Sequence, residues 1–240
     1  MKIAINPYGS TILNEYINLM IESFRMAYPD TEICEDPGFK KNYAAYKDID
    51  VLWLNWYENL PSNPKQIIKA IIFKVIKLLI LKRKKVKIIA TFHNRQPHEV
   101  KFRRLNLLFY KWYLCKADNI IILCEGSRDI LRNYIGAKNM HKVILALHPA
   151  YHCTPRIYPP ADKKKPFSIL FFGLLRPYKN VEMIIELAKE HPDILFNIAG
   201  QPITEEYGAY IHEISKGSEN INLSLRYQSQ EDIDHLIEQS

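Results

Sequence analysis

The sequence predicts an α/β protein built from two Rossmann-like, doubly wound units, the second of them incomplete. Three observations carry this reading. Short, continuously apolar segments of five to seven residues recur along the chain, separated by stretches with helical spacing. A proline-dense stretch interrupts that alternation after residue 148. The net charge changes sign across this stretch, which suggests two units with different partners.

Residues 2–6 form the first apolar segment, closed by a turn at Pro7-Tyr8-Gly9-Ser10; helical spacing follows over 11–27, with Ser10 or Thr11 as N-cap. Residues 49–54 (IDVLWL) read as a buried strand, 64–83 as a long helix, and 86–92 (VKIIATF) as another strand running into HNRQPHE. An aromatic and basic helix is expected over 99–116, a strand over 119–124 (NIIILC), a helix from Gly126-Ser127 to about 134, and a strand over 142–147. Strands that are apolar throughout belong to a parallel sheet covered on both faces, whose carboxyl ends form the ligand crevice. Chemistry is therefore expected in 7–10, 55–58, 93–99 and 125–127. Three parts result: an N-terminal domain over 1–148, a linker over 149–166 and a C-terminal domain over 167–240. The linker carries Pro149, Pro155, Pro159, Pro160 and Pro166. In the last part, strands are expected at 167–172 (FSILFF), 194–199 (ILFNIA) and 220–225 (NINLSL). Helices follow each of them, the last beginning at Ser229.

The chain has 240 residues, 48% of them hydrophobic and 25% charged, which excludes a disordered or low-complexity chain. Its four cysteines are widely spaced without a CxxC pair, so neither a disulfide scaffold nor a zinc site is expected. The overall +7 is unevenly placed: residues 1–150 carry 24 Lys/Arg against 13 Asp/Glu, residues 151–240 carry 9 against 13, and residues 61–120 alone carry 15 against 2. The sequence KQIIKAIIFKVIKLLILKR, from Lys65, is apolar around most of its circumference, with Lys65, Lys69, Lys74 and Lys77 on one half. Such a helix can lie in a lipid headgroup layer with its lysines snorkelling. It is too short and too charged to span the bilayer, where each lysine costs about 2.5–3.5 kcal/mol. Arg103 and Arg104 sit in a second basic-aromatic stretch, KFRRLNLLFYKWYLCK. An anionic membrane surface is the expected partner of this basic face, through Lys69, Lys74, Lys77, Arg103 and Arg104. The plainer alternative is a pair of sheet-covering helices with solvated lysines. Without a helix-turn-helix, zinc-finger or RNP pattern, no nucleic-acid partner is expected.

The most informative motif is GLLRPYKN, residues 173–180, after a buried strand. Gly173 permits close backbone approach, while Arg176 and Lys179 place two cations beside a helix N-terminus, a combination suited to a diphosphate. In HNRQPHE, His93 follows a strand end and can contact a ligand hydroxyl or carry a proton. His93 and His98 lie five apart in a proline-containing loop, which is poor metal spacing. Two DxD matches, Asp48-Ile49-Asp50 and Asp232-Ile233-Asp234, have bland explanations before a strand and in a helix first turn. No metal site is expected.

These residues resemble those of a bacterial glycosyltransferase of the GT-B fold, of the large retaining group called family 4. The carriers are SILFFGLLRPYKNVEMIIELA, LFNIAGQP, TFHNRQPHE and LHPAY, and the likeness covers nearly the whole chain. The resemblance implies transfer of a hexose from a nucleotide-diphospho-sugar to a saccharide acceptor, lipid-linked, in cell-surface polysaccharide biosynthesis. It further implies retention of configuration and no metal or other cofactor, the nucleotide sugar being a substrate. By resemblance, His93 is catalytic and contacts the transferred sugar. Gly9, Gly173, Arg176 and Lys179 bind the donor diphosphate, and His98 and Glu99 line the acceptor side. The implied location is cytoplasmic, peripheral on the inner face of the plasma membrane. In many members an Arg follows the motif glycine directly; here Leu174 does, and the Arg lies three residues after Gly173. The family's glutamate-bearing donor motif falls beyond residue 240, so the second domain reads as truncated. The alternative is a non-catalytic GT-B-like domain that serves as a membrane-associated assembly partner.

Overall fold

Parallel strands buried on both faces need helices on both sides, and the computed structural model shows this arrangement in its larger sheet. It describes residues 1–8, 16–38, 43–61, 63–95, 102–148 and 167–239. The chain divides into two compact units, 1–153 and 154–240; the expected linker 149–166 lies outside the described residues.

In the first unit the order is β1 (Lys2–Asn6), α1 (Tyr16–Ala27), β2 (Glu32–Glu35), β3 (Val51–Leu54), α2 (Pro64–Arg83), β4 (Lys87–Phe92), α3 (Arg103–Lys116), β5 (Asn119–Ile122), α4 (Ser127–Ile135) and β6 (Val143–Leu145). The six strands are all parallel, in the order β2-β1-β3-β4-β5-β6. From β1 the chain runs one way to β2, and from β3 the other way to β6. The topological switch point therefore lies between β1 and β3, where doubly wound sheets open a ligand crevice. Every residue of β3 is buried, as a central parallel strand requires. One core lies between the sheet and α2, α3 and α4, with Leu78, Leu81, Phe109, Tyr110, Tyr113, Leu114 and Leu131; the other, with Tyr16, Ile17 and Ile21 of α1, covers the opposite face.

Local chemistry sets the ends of α2. The Asn63 side chain accepts from the Lys65 N–H at 3.0 Å and Pro64 opens the helix, while Lys85, at φ 64°, turns the chain out of it. The expectation that Lys77 faces a membrane is corrected here. Its side chain is 5% exposed and ion-paired with the still more buried Asp36, which also accepts from Tyr46 and from Asn6 Nδ2 at 2.7 Å. Burial alone would raise the Asp36 carboxyl; Lys77, Tyr46 and Asn6 outweigh it and hold the group below its ordinary value. Lys74 is likewise turned inward, its ammonium on the carbonyls of Tyr57 and Asn59. Helical spacing placed both lysines on a charged half of the helix, but a buried acid and bare loop carbonyls claim them. Lys69, Arg103 and Arg104 are exposed. Beside Lys65 and Lys69, α2 exposes Ile68, Ile72, Ile76 and Leu79. Among the described residues, no helix is long and apolar enough to cross a membrane.

The second unit contains β7 (Ser168–Phe172), α5 (Val181–Glu190), β8 (Leu195–Ala199), α6 (Glu205–Ser215), β9 (Ile221–Ser224) and α7 (Gln230–Gln239). Its three described strands are parallel, in the order β7-β8-β9. Leu175, Val181, Ile185, Ile198 and Ile211 form its core. The second DxD segment does helix-end work: Ser229 Oγ accepts from the Asp232 N–H at 3.1 Å, and the Asp232 carboxylate takes both guanidinium nitrogens of Arg226 at 2.9 and 3.0 Å.

Candidate functional site

Each unit carries one cluster at the carboxyl ends of its strands. In the first unit, β3 ends into Asn55 and Trp56 and β4 ends into His93, two neighbouring strands beside the switch point. The Asn55 N–H donates to Asn6 O at 2.8 Å, tying the end of β3 to β1. Asn55 Oδ1 lies 3.0 Å from His93 Nε2. With that oxygen as acceptor, Nε2 carries the proton and Nδ1 keeps a lone pair. The Trp56 ring stacks on the imidazole at 4.2 Å and 16°, and Tyr16 meets it edge-on at 4.9 Å. Behind them, Trp53 Nε1 donates to Thr91 Oγ1 at 2.8 Å. The loop after β4 is held from the helices, where Tyr110 OH donates to Asn94 O at 3.1 Å and Tyr134 OH to Arg95 O at 2.6 Å.

Burial, reinforced by nearby His148, pushes His93 down to about 4. The ring is therefore neutral at physiological pH. It can accept at Nδ1 and bind a hydroxyl, but it is not a standing cation or a ready general acid. Sequence reasoning marked 55–58 as a strand end without assigning roles to Asn55 or Trp56. It missed Tyr16, which lies 77 positions before His93 and carries no motif. Gly9, His98 and Glu99, expected at the donor and acceptor sides, lie outside the described residues.

In the second unit the strand-to-helix loop is built around two glycines. Gly173 has φ 132° and its N–H donates to Ala199 O at 3.0 Å; Leu175 N–H then donates to Gln201 O at 2.9 Å, and Ile203 N–H to Leu175 O at 3.0 Å. The loop from β7 is thus laced to the turn after β8. A short 3-10 turn, Pro177–Lys179, and Asn180 at φ 53° then lead into α5. The turn brings Lys179 back over the loop, its Nζ 3.0 Å from where a Cβ on Gly173 would sit. Gly173, Lys179 and the start of α5 are thus together, and Arg176 is half-buried in the same loop. Gly200, which sequence reasoning left without a role, abuts Gly173; its signal was a glycine directly after the strand LFNIA. A cation over a glycine-opened loop beside helix N–H groups is chemically suited to an anion such as a diphosphate. Among the described residues, no group of three or more His, Cys, Asp or Glu side chains could hold a metal.

No protein-family model and no curated protein matches the sequence. Solved structures do. Anabaena HepE in complex with UDP and glucose matches with TM-score 0.63 at 14% identity, over 99% of this chain and 71% of that one. The same protein with UDP-glucose gives the same values. The lipopolysaccharide outer core galactosyltransferase WaaB, in its apo form, matches with TM-score 0.60 at 14% identity, over 99% and 72%. The likeness is one of fold: α/β, with Rossmann-like units of the GT-B type.

Proposed function

We propose that the chain is a glycosyltransferase that takes a hexose from a nucleotide-diphospho-sugar. The single observation that carries this reading is the Lys179 ammonium lying over Gly173 at the start of α5. HepE, of like fold, is described with UDP and with UDP-glucose, which supports the same ligand class here. In the proposed reaction, the bond between the sugar C1 and the β-phosphate oxygen breaks, a bond from C1 to an acceptor hydroxyl oxygen forms, and the acceptor's hydroxyl proton passes to the departing diphosphate oxygen. Negative charge grows on the departing diphosphate, where Arg176, Lys179 and the helix N–H groups oppose it. Neutral His93 holds a sugar hydroxyl rather than supplying a proton. We assign retention of configuration, independence from metal and a saccharide acceptor on a lipid carrier to the same proposal.

The exposed row Ile68, Ile72, Ile76 and Leu79 on α2, flanked by Lys65 and Lys69, supports docking on the anionic cytoplasmic face of a membrane. Leu108 and Phe102, exposed with Arg103 and Arg104, extend that character to α3.

The test is UDP binding to the whole chain by calorimetry and thermal unfolding. UDP is expected to raise the midpoint, since ligand at a hundred times Kd adds about 2.7 kcal/mol. Lys179→Ala is expected to remove that gain. Vesicle binding without any UDP binding would overturn the enzyme reading in favour of a non-catalytic membrane-associated partner.

A further inference from the structure

Residues 55–59 connect β3 to the approach of α2, and their first two members grip His93. The rest of the segment is held from outside in an unusual way. Tyr57 O and Asn59 O both accept from Lys74 Nζ, at 2.6 and 2.8 Å, and Glu58 O accepts from Asn106 Nδ2 at 2.7 Å. Three consecutive loop carbonyls are thus taken by side chains of α2 and α3. The tie to α2 is reciprocal: Tyr57 OH donates to Lys74 O at 3.2 Å, and the Lys74 ammonium stands 4.5 Å from the centre of the Tyr57 ring. Asn106 is buried. A loop that only had to join two elements would leave its carbonyls to water. Holding them with a half-buried lysine costs desolvation that simple packing does not require.

The neighbouring residue shows what the clamp holds in place. Trp56 has φ 49°, a left-handed conformation disfavoured for a bulky aromatic residue. Such a conformation persists where both flanks over-determine it. On one flank Asn55 is tied to β1, and on the other Lys74 and Asn106 fix the carbonyls of 57–59. Between them Trp56 lies flat on the imidazole and Asn55 reaches Nε2.

We propose that Lys74 and Asn106 are positioning residues for His93: by clamping the carbonyls of residues 57–59, they hold Asn55 and Trp56 against the ring and so fix its tautomer and its orientation. As a statement about catalysis this rests on the reading of His93 as the sugar contact. As a statement about the imidazole it stands by itself, and the test reads the imidazole.

The test is nitrogen NMR of the whole chain with labelled histidine, across pH, in Lys74→Gln, Asn106→Ser, Lys74→Arg and Lys82→Gln. Lys82 is on the same helix but bonds Lys116 O and Asp118, away from the loop. The unaltered protein is expected to show His93 neutral, as the Nε2–H tautomer, protonating only in the acid range. In Lys74→Gln and in Asn106→Ser, His93 is expected to show mixed tautomers. Its midpoint should rise by at least about one unit toward the ordinary 6.5, a tenfold change in proton affinity. Lys74→Arg should largely restore both readouts, and Lys82→Gln should leave them unchanged even if it lowers the melting point. A folded Lys74→Gln with the original tautomer and titration overturns the proposal; should that variant not fold, Asn106→Ser decides by the same criterion. UDP affinity is measured alongside: its absence from the unaltered protein counts against sugar transfer, whereas a His93 that ignores both substitutions counts against the clamp.

Discussion

Gly200 lies directly against Gly173: a Cβ on Gly200 would overlap the Gly173 carbonyl oxygen. The two residues follow neighbouring strands, β8 and β7, and both have positive φ, 153° and 132°. Only glycine allows both that conformation and that approach. The consequence extends to Lys179, whose ammonium stands over Gly173.

Gly200→Ala is therefore expected to lose about 2–3 kcal/mol of stability, from backbone strain and the displaced loop together. It should also weaken UDP binding at least about tenfold, which corresponds to about 1.4 kcal/mol. Gly173→Ala meets only the far end of a flexible lysine, so its effect should be the smaller one on packing. Urea unfolding and calorimetry measure both. Equal stability of Gly200→Ala and the unaltered chain would show that the loop accommodates the methyl group.

The buried pair of Asp36 and Lys77 yields a second prediction. Removing one partner strands the other charge, and Lys77→Met is expected to cost about 3–5 kcal/mol. The sign of its pH dependence follows from Asp36, whose folded pKa is depressed. That stabilisation is present above the unfolded carboxyl value of about 3.9 and lost as pH falls through the folded one. The gap between Lys77→Met and the unaltered chain should narrow as the pH drops below about 4. Urea midpoints at pH 3.5 and pH 7 measure it; a constant gap would mean that the pair contributes packing alone.

The same pair shows where the sequence stopped being legible. Apolar runs located β1, β3, β4, β5, β6, β7, β8 and β9, because strands of a helix-covered parallel sheet leave a local signature. They did not locate β2, whose EICE is an edge strand with charged ends. Helical spacing located α2, but spacing describes only one element. It cannot report that Asp36 stands 41 positions upstream, or that Lys74 is claimed by the loop at 57–59. A lysine is read as solvated by default, and two of the lysines on α2 depart from it. At the site, GLLRPYKN was legible because glycine, cations and helix start are adjacent in sequence. The surroundings of His93 were not, because Tyr16 from α1 and Asn55 and Trp56 from the end of β3 converge on a residue that follows β4.

That distinction among the α2 lysines is itself testable. Lys65 and Lys69 are exposed beside the Ile68–Ile72–Ile76 row, whereas Lys77 is not. A lysine near an anionic surface contributes about 1 kcal/mol. The double variant Lys65→Gln, Lys69→Gln should thus weaken binding to phosphatidylserine-containing vesicles by about thirtyfold. Ile72→Ser should weaken it further, through lost apolar insertion. Co-sedimentation at fixed salt measures both. Unchanged binding in the double variant would overturn the proposed docking through this face of α2.

Glu58 carries the last prediction. Its side chain is fully buried, and its carboxyl oxygens have no hydrogen-bond partner among the described residues. Lys74 approaches from α2, Tyr110 and Tyr113 from α3, and the carboxyl is pushed up to about 7, chiefly by burial. The folded chain therefore holds a proton that the unfolded chain releases near 4.5. Between these values the native state binds more protons, so stability falls as pH rises, by about 3 kcal/mol in total. Above about 8 Lys74, held down chiefly by burial, introduces the opposite trend, which confines the clean window to pH 5–7.5. Glu58→Gln is neutral throughout. It should be close to the unaltered chain in stability at pH 5 and more stable by about 2 kcal/mol at pH 7.5, as read from urea midpoints. A difference that does not grow across this window would mean that the carboxyl is charged at pH 5 and solvated by a route other than the contacts described. A growing difference would mean that the loop beside His93 is sealed over a neutral acid, held by Lys74 through its carbonyls rather than through an ion pair.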